Sequence, residues 1–97
     1  MKKLVLLVTY KLKEDAHEEF LAEIYASGFP EKVREEDGCL RYEYYFDAEA
    51  PETILLVEEW ESEAQQKKHL ETEHMKNFRE IKEMYVEETV IEKLYKE

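Results

Sequence analysis

The chain has 97 residues with 14 basic and 25 acidic side chains, a formal net charge of −11, and a composition that is 43% hydrophobic and 12% aromatic. One domain spanning residues 1–97 is expected, and a chain this short hides only about 60% of its unfolded surface, so a partner subunit would complete its core. The charge excludes nucleic acid and anionic membranes as partners, because both are held by Lys and Arg.

A first strand is expected over residues 3–12, with Leu4, Leu6, Val8, Tyr10 and Leu12 on one face and Val5 and Leu7 on the other, as in a strand covered on both sides. The apolar run from Leu4 to Val8 is too short for a signal peptide or a membrane span. A helix over about 15–27 follows, capped by Asp15 with Glu18 as the third-position acid, and His17 in its acidic first turn faces solvent. Gly28-Phe29-Pro30 breaks this helix, a further turn or two reaches Glu36, and Gly38 stops it. Cys39 is the single cysteine, which excludes a disulfide framework and multi-cysteine metal centres and suits a reducing cytoplasm.

Residues 39–47 alternate as a half-buried strand, with Leu40, Tyr42, Tyr44 and Phe46 on one face and Arg41, Glu43 and Asp47 on the other. Residues 53–61 read as a third strand, its run Ile54 to Val57 covered on both faces and Trp60 closing it. Ser62 and Gln65 match a capping box, with Gln65 reaching back to the Ser62 amide. Thr72 then caps a second helical piece whose apolar stripe is Met75, Phe78, Ile81, Met84 and Tyr85. Residues 86–95 make the last strand. The order β-α-β-β-α-β is that of an α+β, ferredoxin-like fold, a four-stranded antiparallel sheet with its helices on one face. The opposite face would be apolar and bare, so a homodimer packed sheet to sheet is expected, apolar at its centre to overcome like-charge repulsion.

The signatures of nucleotide binding, zinc proteolysis, serine hydrolysis and thiol redox chemistry are absent. What remains is Glu58, Trp60, His69 and His74. Five residues apart on an unbroken helix, the two histidines would diverge by about 140°, poor spacing for a shared metal, and none is expected. A break near Thr72 would re-aim both rings. His74 then falls within the apolar stripe, as a core histidine or as a base kept neutral by the helix N-terminus. Glu58 shares its face with Leu56 and Trp60, and a carboxylate there is either satisfied by a Tyr, His or Arg or marks a site. Trp60 reads as core or as an aromatic wall, and Tyr42, Tyr44 and Tyr45 read as packing or as pocket lining.

Three stretches are distinctive: Glu36-Asp37-Gly38-Cys39-Leu40-Arg41-Tyr42, the segment Ile54 to Ser62 with Ala64, and His69-Leu70-Glu71-Thr72-Glu73-His74-Met75. Together they resemble the antibiotic biosynthesis monooxygenase domain family, and within it small stand-alone proteins similar to quinol monooxygenases. The resemblance implies a dimeric α+β barrel with a pocket between sheet and helices in each subunit. It further implies oxygenation of electron-rich phenols or quinols by O₂ with no cofactor, the substrate itself supplying the electrons. Glu58, His69 and His74 would bind and deprotonate a phenolic hydroxyl, while Trp60, Phe78, Tyr42 and Tyr44 hold the ring of a small aromatic molecule. The domain also resembles a phospho-sugar isomerase that processes the autoinducer-2 signal, so proton shuttling without O₂ is an alternative, although three arginines and a charge of −11 suit a phosphorylated substrate poorly. A non-catalytic dimeric module binding a small ligand is the third reading. Haem-degrading relatives need an Asn on the first strand and a Trp near position 69, where Thr9 and His69 stand.

Overall fold

A computed structural model describes residues 2–97. Its elements are β1 (Lys3–Leu12), α1 (His17–Ala26), α2 (Phe29–Arg34), β2 (Cys39–Phe46), β3 (Thr53–Trp60), α3 (Glu63–Leu70), α4 (Glu73–Tyr85) and β4 (Val86–Lys96). The strands form one antiparallel sheet in the order β2-β3-β1-β4, the ferredoxin-like arrangement expected, with each helical crossover split into two pieces. The most apolar strands, β1 and β3, take the centre of the sheet.

Register decides which side chains meet the helices. Leu4 lies opposite Trp60, Leu6 opposite Glu58, Val8 opposite Leu56 and Tyr10 opposite Ile54. With a side-chain period of two, these residues share one face, and all are buried against Phe20, Ile24, Phe29, Val33 and Phe78 from the helices. On the other face Val5, Leu7 and Leu55 are only half-buried, and β4 adds Val90 and Leu94, each 46% exposed. Ion pairs from Arg41 and Lys96 to Glu59, and from Lys11 to Glu88, rim this apolar area.

Several local expectations are corrected. Asp15 does not cap α1: it takes a left-handed conformation (φ 57°), the chain enters the helix one residue later, and Ala16 occupies the cap position without a side-chain bond. His17 is not simply solvent-facing; it is half-buried, edge-on to the Phe46 ring at 6.1 Å, with Nδ1 enclosed and unpartnered. Gly28 (φ 75°) ends α1 as foreseen, but α2 stops at Arg34, leaving Glu36 in the turn before β2. A bulge follows Cys39, which pairs with Trp60 while Arg41 pairs with Glu59. Leu40 is the extra residue and is turned out, 46% exposed. Phe46 at the strand end is 62% exposed, and Met84 drops out of the α4 stripe at 53%. Ser62 and Thr72 cap α3 and α4 as expected, accepting from Gln65 N and Met75 N. Gln65, however, reaches the Ser62 hydroxyl and Asp37 instead of the Ser62 amide.

Candidate active site

The break between α3 and α4 positions both histidines. Thr72 Oγ1 accepts from Met75 N to start α4 and donates to the His69 carbonyl at 2.8 Å, closing the end of α3. The chain therefore turns between His69 and His74, and the two rings meet on a single acceptor. His69 Nδ1 lies 2.8 Å and His74 Nε2 2.7 Å from the same oxygen, Oε2 of Glu36. Glu36 is held on both sides by its own backbone, donating to the Val33 carbonyl and accepting from Cys39 N. A carboxylate oxygen accepts, so each imidazole donates to it, His69 from Nδ1 and His74 from Nε2. Aromatic rings fix the planes: Trp60 lies 4.9 Å from His69, and Phe29, stacked on Phe78 at 4.6 Å, sits edge-on to His74 at 5.7 Å. Burial lowers the pKa of His69 and outweighs the opposing pull of Glu36, so the ring is neutral.

A partly enclosed cavity of about 250 Å³ lies between this corner and the sheet. Leu6, Val8 and Tyr10 of β1, Tyr42 of β2 and Glu58 of β3 form one wall, and Gln66, His69, Leu70, Met75, Phe78, Arg79 and Lys82 form the other, with Thr89 and Ile91 of β4 at the side. Glu58 is 7% exposed and accepts a hydrogen bond from Trp60 Nε1 at 3.0 Å. Burial pushes its carboxyl up to about 7; the Trp60 bond opposes this and Glu36 adds to it. A neutral histidine and a carboxyl half-protonated near neutral pH thus face one mostly apolar cavity, a pairing suited to proton transfer.

Of the residues expected at a site, Glu58, His69, Tyr42 and Phe78 line this cavity. His74 joins through Glu36 without lining it. Trp60 is fully buried behind His69, and Tyr44 meets Tyr42 hydroxyl to hydroxyl at 3.3 Å. Glu36, Tyr10, Arg79 and Lys82 are the site residues that sequence reasoning missed. Glu36 lies 33 and 38 residues before its two partners, and no spacing rule connects them.

Glu36, His69 and His74 also present ligand atoms within 4.8 Å of one another, the donor types of a two-histidine, one-carboxylate metal set. Each nitrogen nevertheless approaches the oxygen to 2.7–2.8 Å, closer than the roughly 3.3 Å between ligands around a tetrahedral zinc ion. The three groups form a hydrogen-bonded chain.

Comparison with known proteins agrees with this architecture. Residues 4–81 match the family profile described as antibiotic biosynthesis monooxygenase. YcnE of Bacillus subtilis (strain 168), which carries a provisional monooxygenase name, is 33% identical over 75 residues, 77% of each chain. YgiN of Escherichia coli (strain K12), provisionally named a quinol monooxygenase, is 38% identical over 56 residues, 50% of this chain and 54% of YgiN. Among solved structures, PA3566 from Pseudomonas aeruginosa superposes with a TM-score of 0.88 at 26% identity, covering 100% of this chain and 96% of that one. A structure from Nitrosomonas europaea assigned provisionally to antibiotic biosynthesis monooxygenases gives 0.82 at 21% identity, covering 97% and 88%, a likeness of fold alone. Among the described residues no helix is long and apolar enough to cross a membrane. By sequence over most of its length and by fold throughout, the chain belongs to the antibiotic biosynthesis monooxygenase family.

Proposed function

We propose that the protein is a cofactor-independent monooxygenase of a small phenolic or quinol substrate, working in the cytoplasm as a homodimer joined through its free sheet face. The observation that carries the reading is His69: a neutral ring lining the cavity, its Nδ1 held by Glu36, which leaves Nε2 as the base. In the bound complex Nε2 takes the phenolic proton. Glu36 stabilises the imidazolium that forms, and the partly exposed His74 connects the same carboxylate to solvent. Glu58, half-protonated near neutral pH, donates in its protonated form to a substrate oxygen, while Tyr42, Phe78 and Tyr10 hold the ring. The phenolate supplies the electrons: O₂ inserts one oxygen atom as a new ring carbonyl, and the other leaves as water with two substrate hydrogens.

The test is a reaction under ¹⁸O₂ with product masses read by mass spectrometry. A quinone heavier by one ¹⁸O atom supports the reading, and an unlabelled product contradicts it. Two proton-transfer groups on one cavity also suit an isomerase acting on a small sugar-like molecule without O₂. That alternative gives no label from ¹⁸O₂ and incorporates deuterium from heavy water.

A further inference from the structure

The chain is strongly acidic, yet the charges lining the cavity run the other way. Arg79 and Lys82 face it, and the single acid is Glu58, whose carboxyl is half-protonated near neutral pH. The same two cations, with Thr89, also line an open groove of about 440 Å³ outside α4 and β4. Sharing both linings, they stand at the mouth, where the cavity opens to solvent.

Each cation is held in place by something other than a carboxylate. The Arg79 guanidinium donates to the Leu70 carbonyl at the end of α3, and Leu70 itself lines the cavity. The Lys82 ammonium lies 5.5 Å over the ring of Tyr10, another lining residue. Among the described residues neither cation has an acidic partner within 4.0 Å, although Glu83, Glu87 and Glu88 line the outer groove, and Glu88 pairs with Lys11 instead. Lys82 is half-buried, and burial together with neighbouring Arg79 lowers its pKa. Two like charges one helical turn apart, Lys82 partly desolvated and neither with an acidic partner in a chain with a large acid surplus, form a site waiting for an anion.

We propose that Arg79 and Lys82 form an anion-binding subsite at the cavity mouth, so that the substrate is an acidic phenol: a hydroxylated ring seated between Tyr10, Tyr42 and Phe78, with a carboxylate or phosphate at its outer end. The identity of the ring rests on the proposed function, whereas the anion site rests on the two cations alone. Overall charge is then a poor guide to the ligand, because Glu58 is the single acid lining the cavity while Glu83, Glu87 and Glu88 line only the outer groove.

The experiment is calorimetric titration without O₂, comparing hydroquinone with 2,5-dihydroxybenzoate, which share the same hydroxylated ring. The wild-type protein binds the acid about tenfold or more tightly than the neutral quinol, a preference that shrinks as salt is raised. Arg79→Gln with Lys82→Gln brings the affinity ratio to about one, and Arg79→Lys, which keeps the charge, restores part of it. A second pair, 4-hydroxybenzoate against 4-hydroxyphenyl phosphate, assigns the anion: the tighter ligand of the two names it, and either result upholds the subsite. A wild-type ratio near one, or a ratio unmoved in the double variant while its melting curve shows it folded, overturns the proposal. The binding is read without O₂ and turnover in a parallel assay under air: tight binding of an acid that is never oxidised in air upholds the subsite and sinks the monooxygenase reading, whereas oxidation of hydroquinone without preference for the acid does the reverse.

Discussion

Glu58 is where the cost of the site should be measurable. Its folded pKa of about 7 lies above the ordinary 4.5, so folding disfavours its charged form. Below pH 4.5 both folded and unfolded states hold the proton and the penalty is absent. Between 4.5 and 7 the unfolded chain ionises first, and stability falls by about 3 kcal/mol before levelling off above pH 7. Glu58→Gln removes that dependence: the variant should melt higher than the wild type at pH 8, while its turnover drops by roughly a hundredfold or more. Thermal melts at pH 4 and pH 8 check the first effect, and an equal wild-type advantage at both pH values would contradict it. Glu36 acts through His69, so Glu36→Gln should redistribute the ring proton between Nδ1 and Nε2, visible in ¹⁵N imidazole shifts, and lower kcat at least tenfold with little change in KM. Glu58 was legible in the sequence because an acid in an apolar strand needs a reason. Glu36 was not, because its role exists only once a turn brings it beneath two histidines more than thirty residues away.

The useful elements are those that interrupt others. Thr72 ends one helix and begins the next, and without that break His69 and His74 would point apart. Thr72→Ala should cost about 1 kcal/mol, roughly 5 °C in melting temperature, and it should lower activity beyond what partial unfolding explains, since His74 loses its aim. Gly28 has φ 75° with open space where a side chain would go, so Gly28→Ala should cost about 1 kcal/mol from backbone strain alone and leave the cavity intact. Unchanged melting would show, for Thr72→Ala, that the cap adds no stability and, for Gly28→Ala, that the positive φ costs a side chain nothing. Strands and helices were readable because period-two and helical patterns are strong here. Failures fell where one residue changes register: Asp15 gives up its cap to a left-handed turn, and the bulge at Leu40 turns an apolar side chain outward. Neither event leaves a mark in hydrophobic periodicity.

At the scale of the whole molecule, the apolar sheet face and the charge of −11 pull in opposite directions. Burying Val5, Leu7, Leu55, Val90 and Leu94 favours pairing, while two equally acidic subunits repel. The expected dimer should therefore tighten as salt is raised, because screening weakens the repulsion and leaves the apolar contact. Leu7→Lys should give a folded monomer. Sedimentation at low and high ionic strength checks both statements, and a wild-type protein that stays a monomer in high salt would show that the sheet face does not pair. His69 is proposed as the base of a reaction that consumes O₂. That role is tested most directly by measuring O₂ uptake by the purified protein over a panel of hydroquinones and hydroxybenzoates, beside His69→Ala. The wild type should take up O₂ well above autoxidation, and the variant only at background. Equal uptake in both, or none above background in either, would contradict it.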